Sequence, residues 1–307
     1  MAMISFIMMA YNVEKYIADA IVELQKENEV KWELIIVDDF STDSTFEVAK
    51  RFADGDERIK LVKNTSKGKV TGTNYGYSLT SGDIIKCIDS DDVLLQDFFR
   101  EYENMKKYDA HCHSAFIADH KLNTRAIYNI NPLLISKGFE FVLSNLVSFP
   151  KWSWSFSRKI AEKIFPMPET LPFEDVWIAL TVKKYSKNVY VIDKPIYLYR
   201  QHDNQTFGGI INYSKEKVIF RAKRLLALMD VLENEPRVFK GFEKNIFDSA
   251  RVYNRLMSKE RLSVWDVLIS ELRAMAKFKI ILIKKFPMLA KYATILKWKL
   301  DALLSKN

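Results

Sequence analysis

The chain of 307 residues is 48% apolar, which is enough to bury a sizeable core and is not typical of a disordered chain. Its two cysteines, Cys87 and Cys112, lack C-x-x-C spacing, so neither a disulfide framework nor a zinc knuckle is indicated. The net charge of +8 comes almost entirely from residues 259–307, where eleven Lys and Arg accompany four Asp and Glu. The rest of the chain is close to neutral, which excludes a surface that coats nucleic acid.

The N-terminal residues are typical of a first strand and not of a targeting signal. Residues 1–12 are apolar but lack the basic segment and the small-residue cleavage site of a signal peptide. No apolar run approaches the ~18 residues that a membrane-spanning helix needs. We therefore expect a protein that is cytoplasmic or peripheral to a membrane.

Predicted strands and helices alternate in the first part of the chain. The strands are at residues 4–10, 32–37, 59–63 and 84–88, and the helices between them are at 13–24, 43–51 and 70–79. This order predicts a mostly parallel sheet, in which ligands bind beyond the carboxyl ends of the strands.

Two acidic clusters follow strands at that edge of the sheet. Asp38 and Asp39 follow the second strand, and Asp89, Asp91 and Asp92 follow the fourth. Carboxylates this close repel one another and raise each other's pKa, and Mg²⁺ or Mn²⁺ shared with substrate phosphates relieves the repulsion. The alternative is a polar turn with Asp91 or Asp92 as a helix N-cap, but three acids are more than a cap needs.

The remainder of the chain has mixed elements and then helices. We predict a helix at 93–107, a strand at 108–118 with its return at 125–130, a helix at 139–147, an aromatic loop at 149–156, a helix at 174–185, strands at 189–192 and 196–199, and a polar loop at 200–209. From residue 213 onward the pattern is helical, which predicts one domain over 1–212 and a helical region over 213–307.

Over roughly residues 3–210 the sequence resembles bacterial family 2 glycosyltransferases, which are nucleotide-sugar-dependent inverting enzymes. The resemblance rests on Ala10-Tyr11-Asn12, the run from Val37 to Asp43, Asn64, Gly68, Asn74, Gly76, Ser81-Gly82-Asp83, Asp89-Ser90-Asp91-Asp92, Phe173-Glu174-Asp175 and Tyr199-Arg200-Gln201-His202. It implies an α/β fold of the GT-A (Rossmann-like) type, a mostly parallel central sheet with flanking helices, followed here by a C-terminal helical extension. The nucleotide-sugar half would cover about 1–107 and the acceptor half about 108–212.

The resemblance also implies roles in binding the donor and the metal. Tyr11 and Asp39 would contact the nucleotide base, with Asp39 accepting from the uracil N–H, and Asp89 would contact the ribose or a metal-bound water. Asp91 would ligate Mn²⁺ or Mg²⁺, and His202 would complete the metal shell or touch the diphosphate; the alternative for His202 is an ordinary loop histidine. The other donor-binding residues implied are Ala10, Asn12, Lys67, Asn74 and Ser90.

Asp175 matches the catalytic base of the family, with Glu174 as the fallback. Inversion requires a carboxylate on the sugar face opposite the departing diphosphate, where it takes a proton from the acceptor hydroxyl. The alternative for both acids is the first turn of a helix, where carboxylates complement the helix dipole. The metal would act as a Lewis acid on the diphosphate, so no covalent intermediate is required.

The sequence departs from the family at Gly72-Thr73-Asn74, where Ala-Arg-Asn is common. Lys67 or Lys69 could replace the missing arginine, or both could be solvated loop charges.

Trp152 and Trp154 are predicted as an acceptor platform or, equally, as core packing. His111 and His113 lack zinc-site spacing, so we expect them on a strand surface that faces the acceptor cleft.

Residues 274–285 and 289–304 alternate lysines with apolar and aromatic residues. Basic amphipathic helices of this kind bind anionic membrane surfaces. The alternative is a helical bundle packed on the catalytic domain, and oligomerisation through these helices is also open.

The predicted function is transfer of a sugar from a UDP-linked donor to a hydroxyl of a surface polysaccharide, lipooligosaccharide or lipid-linked glycan, at the cytoplasmic face of the inner membrane. One alternative is a metal-dependent sugar nucleotidyltransferase, which would carry a Gly-rich basic signature in place of the residues after Ala10. The other is a catalytically degenerate membrane-docking or glycan-binding module. The intact Asp89, Asp91, Asp175 and His202 argue against that module.

Overall fold

The computed structural model of the protein describes residues 3–172, 174–202, 215–240, 244–290 and residue 292. The chain forms two compact units, residues 1–202 and residues 203–307. The domain boundary predicted from the sequence, between residues 212 and 213, lies outside the described residues.

The first unit is an α/β unit. Its strands are β1 (Ile4–Ala10), β2 (Trp32–Asp38), β3 (Ile59–Lys63), β4 (Ile84–Asp89), β5 (Val93–Leu94), β6 (Ala110–His113), β7 (Ala115–Ala118), β8 (Thr124–Tyr128), β9 (Trp154–Ser157), β10 (Val189–Ile192) and β11 (Tyr197–Arg200). Its helices are α1 (Ile17–Gln25), α2 (Thr45–Gly55), α3 (Lys69–Ser78), α4 (Asp97–Arg100), α5 (Tyr102–Met105), α6 (Pro132–Ile135), α7 (Phe139–Asn145), α8 (Arg158–Ile164) and α9 (Glu174–Tyr185). A short 3-10 helix covers Lys151–Ser153.

A seven-stranded sheet in the order β10-β6-β9-β4-β1-β2-β3 forms the centre of this unit. Its strand pairs are parallel except those of β9, which runs antiparallel to β4 and β6. A smaller sheet has the order β5-β11-β7-β8. The predicted α/β architecture, with a mostly parallel central sheet, is confirmed.

Local sequence explains why these elements form and what they bury. β1 is an apolar run with six of its seven residues buried, and α1 buries Ile17, Ala20, Ile21 and Leu24, the spacing of one helix face. The side chain of Phe6 on β1 lies 5.9 Å from each of Phe98 and Phe99, measured between ring centroids. Helices therefore pack on a sheet whose carboxyl edge stays available for a site.

The predicted aromatic loop at 149–156 is wrong, because residues 154–157 form β9 in the middle of the central sheet. The alternation Trp154-Ser155-Phe156-Ser157 has the period of a strand, and that pattern was the available signal. Ser155 and Phe156 are both fully buried, as expected of a strand covered on both faces.

Two other predicted elements are broken in the structure. The helix predicted at 93–107 begins instead with β5, which pairs with β11, and continues as two single-turn helices, α4 and α5. The strand predicted at 108–118 divides at Ser114 into β6 and β7, which belong to different sheets. Ser114 Oγ accepts the N–H of Ile130 at this point.

The second unit is helical in its described part. It contains α10 (Lys215–Glu233), α11 (Pro236–Phe239), α12 (Asp248–Ser258), α13 (Val264–Leu268) and α14 (Ala274–Lys285). A small core joins α10, α12, α13 and α14 and is formed by Ala222, Leu256, Met257, Leu262, Val267, Leu272 and Ile280. Among the described residues, no helix is both long enough and apolar enough to cross a bilayer. The amphipathic segment predicted at 289–304 lies mostly outside the described residues.

Candidate active site

The two acidic clusters meet because β1 pairs with both strands that precede them. Ala10 lies opposite Asp38 on β2, and Met9 lies opposite Asp89 on β4. The turn after β1 is tied to the turn after β2, since the N–H of Asp39 donates to the carbonyl of Ala10 at 2.8 Å. The predicted convergence of both clusters at one sheet edge is therefore present.

Asp39 is held in one orientation by its neighbours. Its Oδ1 accepts from Asn64 Nδ2 at 2.7 Å and from the N–H of Gly68 at 2.9 Å. Near these loops the ring of Tyr11 is 46% exposed, and Lys67 Nζ lies 4.8 Å from its centroid. The structure thus brings Tyr11, Asp39 and Lys67 together as an open surface with an aromatic face, a carboxylate and a cation.

Asn12 shapes the same turn through its backbone and its side-chain oxygen. Its backbone adopts φ 51°, a left-handed conformation that asparagine tolerates. Its Oδ1 accepts from the N–H of Thr42 at 2.8 Å, and its own N–H donates to Ser41 Oγ at 3.2 Å. Asn12 therefore fixes the β1 turn against the β2 turn.

Three other predicted donor-binding residues lie in the wall of the site. Ala10 and Ser90 are 1% and 4% exposed. Asn74 uses both ends of its amide on Met167, donating to the carbonyl at 2.8 Å and accepting from the N–H at 2.7 Å. These contacts indicate that Asn74 ties α3 to the segment that precedes α9.

Asp91 and His202 form the candidate metal position. His202 Nε2 lies 3.0 Å from Asp91 Oδ2, and the imidazole ring packs 4.8 Å from the ring of Tyr16. Carboxylate oxygen and imidazole nitrogen both suit Mn²⁺, which together with Mg²⁺ commonly takes one or two protein ligands plus phosphate oxygens and water. Within the described residues, no group of three His, Cys, Asp or Glu converges on one point. The donor set therefore fits a cation shared with a diphosphate and not one enclosed by protein alone.

Asp92 has a different role from Asp91, although the two are adjacent. It is 1% exposed, its Oδ1 accepts the N–H of Arg200 at 2.8 Å, and its Oδ2 is buried without a hydrogen-bond partner. Burial, reinforced by the charges of Asp91 and Asp89, raises the pKa of Asp92 well above its usual range. Asp92, buried and bonded to the backbone of β11, therefore belongs to the frame of the site.

Lys69 is a cation that lies among the acids of the site. It is the first residue of α3, and its Nζ lies 3.6 Å from Asp89 Oδ1. The charge of Asp89, followed by those of Glu174, Asp175 and Asp91, raises the pKa of Lys69, whose side chain is 58% exposed. Burial would raise the pKa of Asp89, but Lys69 and then Lys151 hold it below its ordinary value.

Glu174 and Asp175 begin α9, but their surroundings differ. Glu174 is 5% exposed, its Oε2 lies 3.0 Å from Lys151 Nζ, and its Oε1 lies 2.9 Å from Thr73 Oγ1. Burial opposes its ionisation, but Lys151 and then Lys69 lower the pKa of Glu174 below its ordinary value. Glu174 is therefore a carboxylate enclosed in an ion pair.

Asp175 is only partly buried and keeps a carboxylate at the cleft. Its Oδ1 accepts the backbone N–H of Lys151 at 3.0 Å. Burial raises the pKa of Asp175 to about 6; Lys69 opposes this shift and Glu174 adds to it. A carboxylate with that pKa is ionised at neutral pH and is still a stronger base than an ordinary aspartate.

The two tryptophans predicted as an acceptor platform are in the core. Trp152 is 3% exposed and stacks on Tyr197, with ring centroids 5.0 Å apart and an interplanar angle of 7°. Trp154 is fully buried on β9. Burial leaves no ring face for a sugar to stack on, so the structure favours the packing alternative for both.

The histidines of β6 also lie in the core. His111 and His113 are fully buried, so the expectation that they face the acceptor cleft is wrong. Lys86 lies in the same core, and its Nζ is 2.7 Å from His113 Nε2. Burial lowers the pKa of His113 well below its ordinary value and lowers that of Lys86 to about 7.

Comparisons with solved structures identify the fold. The crystal structure of S. aureus TarS 1-349 in complex with UDP-GlcNAc aligns with a TM-score of 0.57 at 14% identity, covering 92% of this chain and 87% of that one. The mannosyltransferase PcManGT from Pyrobaculum calidifontis, in complex with GDP-Man and Mn²⁺, aligns with a TM-score of 0.53 at 17% identity, covering 97% and 80%. The fold is that of the GT-A glycosyltransferases.

Sequence comparison gives the family within that class. The model of glycosyl transferase family 2 matches residues 5–165, more than half of the chain, and the chain belongs to this family. It is 37% identical over 98 residues to an uncharacterized glycosyltransferase of Haemophilus influenzae, a match covering 32% of this chain and 39% of that protein. The predicted family is confirmed, and membership of it argues against the nucleotidyltransferase alternative.

A second relative carries a more detailed name. The chain is 37% identical over 94 residues to WfgD of Escherichia coli, named a UDP-Glc:alpha-D-GlcNAc-diphosphoundecaprenol beta-1,3-glucosyltransferase. That match covers 30% of this chain and 36% of WfgD. The chain thus spans less than two fifths of the length of either curated relative.

Proposed function

We propose that the protein is an inverting glycosyltransferase that moves a sugar from a UDP-linked donor to a hydroxyl of a surface-polysaccharide, lipooligosaccharide or lipid-linked glycan. The observation that carries this proposal is the division between Glu174 and Asp175. Glu174 forms a buried ion pair with Lys151, whereas Asp175 is only partly buried and its carboxylate has a pKa of about 6. Asp175 is therefore the group suited to take the proton of the acceptor hydroxyl as the new glycosidic bond forms.

The donor would lie across the carboxyl ends of β1, β2 and β4. Tyr11 supplies an aromatic face for the base, and Asp39, whose Oδ1 is already bonded to Asn64 and Gly68, would accept the uracil N–H at Oδ2. Lys67 and Lys69 lie on either side of Gly68 in the chain and provide positive charge for the diphosphate. The relatives support a nucleotide-sugar donor, since TarS was crystallised with UDP-GlcNAc and WfgD is named for UDP-Glc.

A divalent cation, Mn²⁺ or Mg²⁺, would be held by Asp91 and His202. Such a cation, when bound, supplies Lewis-acid stabilisation of the departing diphosphate. The protein's part is to present one oxygen and one nitrogen at a fixed separation, and PcManGT, which was crystallised with Mn²⁺, supports a metal in this fold.

The acceptor would be met at an anionic membrane surface through α14. Met275 and Phe278 lie on one face of that helix and are 77% and 61% exposed, whereas Ile280 on another face is fully buried. Lys279 and Lys285, both exposed, flank the apolar face. An exposed apolar face bordered by lysines suits the boundary between lipid headgroups and acyl chains. The acceptor in the name of WfgD, a diphosphoundecaprenol, supports a lipid-linked substrate.

A thermal-shift panel of UDP-, GDP- and dTDP-sugars, each with and without Mn²⁺, tests the proposed donor. A ligand that binds only the folded state raises the melting temperature by mass action. We expect a shift with UDP and at least one UDP-sugar that grows when Mn²⁺ is added. A shift restricted to GDP or dTDP compounds would overturn the UDP assignment. If none of the nucleotides raises the melting temperature, a catalytically degenerate module would be favoured.

A further inference from the structure

Lys151 is a buried lysine that touches both acids of the candidate site by two different groups. Its side chain is 4% exposed, and its Nζ lies 3.0 Å from Glu174 Oε2. Its backbone N–H donates to Asp175 Oδ1, also at 3.0 Å. The reaction proposed above needs Asp175 but assigns no part to Lys151.

The ammonium of Lys151 offsets the repulsion between the adjacent carboxylates of Glu174 and Asp175. A buried carboxylate without a counter-ion is costly, and a second charge directly beside it would be costlier still. The Lys151 ammonium neutralises Glu174 where solvent cannot, and Thr73 Oγ1 lies at the other oxygen of Glu174. Asp175 can then ionise beside a neutralised pair in place of a bare negative charge.

The segment that follows Lys151 is held by a second buried lysine. Lys86 Nζ, on β4, donates to the carbonyl of Trp152 at 2.7 Å and to that of Trp154 at 3.3 Å. The stacking of Trp152 on Tyr197 holds the same segment from another side. The N–H that binds Asp175 therefore belongs to a segment anchored on the strand that also carries Asp89.

We propose that Lys151 is a positioning residue for the general base, neutralising Glu174 so that Asp175 alone serves as the base, while its N–H orients the Asp175 carboxylate. This inference rests on the proposed function, because it requires Asp175 to take the acceptor proton. A buried ion pair with a purely structural role would stabilise the fold without changing the ionisation of Asp175.

The charged and titratable groups around Asp175 determine the sign of the expected effect. Lys69 of α3 favours its ionisation, whereas Glu174 of α9 and Asp89 of β4 oppose it. Tyr128 of β8 also faces Asp175, since burial and then the charge of Asp175 raise the pKa of Tyr128 to about 12. Removing the Lys151 ammonium takes away the positive charge that offsets Glu174 beside Asp175, so we expect the pKa of Asp175 to rise.

The test compares the pH dependence of kcat for Lys151→Met and the wild type, normalised to folded protein by donor-binding titration. The acid limb is the range of the pH profile in which kcat falls as Asp175 becomes protonated. We expect the acid limb of Lys151→Met to lie about one pH unit higher than that of the wild type, with kcat at pH 6 about fivefold lower and the donor KM unchanged. Lys50→Met, which removes a surface lysine paired with Asp54, is the matched control and should leave the limb in place.

A double variant separates positioning from any direct role of Lys151. Lys151→Met with Glu174→Gln removes both charges together, so the acid limb should return to the wild-type position or below it, with kcat recovering. A limb that stays in place in Lys151→Met, or a double variant that stays as slow as Lys151→Met, overturns the inference.

Two further variants keep the inference testable and separate from the proposed function. If Lys151→Met does not fold, Glu174→Gln alone should move the limb below that of the wild type, and an unmoved limb contradicts the inference. Asp175→Asn is assayed in parallel. Retention of transfer by Asp175→Asn would refute the proposed base itself. If Asp175→Asn loses transfer and the acid limb of Glu174→Gln is that of the wild type, only the role of Lys151 is refuted.

Discussion

His202 Nε2 lies 3.0 Å from Asp91 Oδ2, although 111 residues separate the two in the chain. Arg200 joins them, since its N–H donates to Asp92 Oδ1 and its Nε donates to the carbonyl of Asp91. The side chain of Arg200 is 2% exposed, and its Nη2 donates to Asp19 Oδ2 at 2.7 Å. A buried guanidinium thus connects the end of β11 to the end of β4 and presents the two candidate ligands together.

Substituting Asp91 with Asn tests this metal position. The amide keeps the shape but loses the charge that attracts a divalent cation, so Mn²⁺ binding should weaken by at least about tenfold to a hundredfold, with turnover falling accordingly. The measurement is transfer rate against Mn²⁺ concentration. Asp54→Asn, at an exposed ion pair on α2, is the control. An Asp91→Asn enzyme with the wild-type Mn²⁺ response would remove Asp91 from the ligand set.

Substituting Asp175 with Asn should abolish transfer while sparing the donor site. Loss of a general base typically costs about a hundredfold to ten-thousandfold in rate, and no donor contact is assigned to Asp175. In the wild type, kcat should fall as pH drops below about 6, because protonation of Asp175 removes the base. Calorimetry with UDP and a pH–rate profile check the two halves of this prediction. Loss of donor affinity in the variant would make Asp175 a structural residue.

The same substitution should stabilise the protein above pH 6. Burial raises the pKa of Asp175 in the folded state above its unfolded value, so the folded state binds the proton more tightly. That stabilising contribution is present at acid pH and is lost as pH rises through about 6. Asn carries no charge, so Asp175→Asn should melt higher than the wild type at pH 8, with the difference shrinking toward pH 5. An equal melting temperature at pH 8 would contradict this assignment.

Much of this arrangement can be predicted from sequence, and the rest depends on contacts between distant segments. The apolar runs of β1, β2 and β4 and the acids that follow them predict the sheet and its acidic edge, because strand order and side-chain period are local properties. The family resemblance singles out Asp91 as the ligand, but the spacing of the acids alone does not, since the structural difference from Asp92 is the bond that Asp92 accepts from the N–H of Arg200. The sequence places Glu174 and Asp175 side by side but does not show that Lys151 neutralises only one of them.

Aromatic residues were the least reliable guide to the site. Trp152 and Trp154 have the composition of a sugar platform, yet both are buried. The alternation of Trp and Phe with Ser at 154–157 indicates a strand with two covered faces, where serine is small enough to pack. Burial is a tertiary property: the position of β9 between β4 and β6 buries Trp154, and stacking on Tyr197 of β11 covers Trp152, which lies on the preceding 3-10 helix.

Gly72 is predicted to be required for the orientation of Asp39. A Cβ at this position would overlap the Met9 side chain and lie 2.9 Å from Asn64 Nδ2, the atom that donates to Asp39 Oδ1. Gly72→Ala should therefore weaken UDP binding severalfold and cost about 1–3 kcal/mol of stability. Calorimetry and thermal melts provide the measurements.

Two matched variants make that prediction specific. Gly55→Ala adds a methyl group to α2 where nothing lies within 4 Å, so it should change neither UDP affinity nor function. Met9→Val combined with Gly72→Ala makes room for the new methyl and should restore most of the affinity. Failure of this rescue would mean that Gly72 acts through its backbone and not through the space beside Met9.

The exposed face of α14 should determine membrane binding. Phe278→Ser removes an exposed aromatic ring, and Lys279→Glu with Lys285→Glu reverses the charges beside it, so both changes should lower partitioning onto vesicles containing phosphatidylglycerol. The charge reversal should have little effect with uncharged phosphatidylcholine vesicles, and raised salt should weaken wild-type binding. Leu133→Ser, at a 72% exposed residue of α6, is the matched control. Unchanged partitioning of both α14 variants would refute the membrane role. If the α14 variants instead change the sedimentation coefficient of the protein, this face would be assigned to contact between copies of the protein.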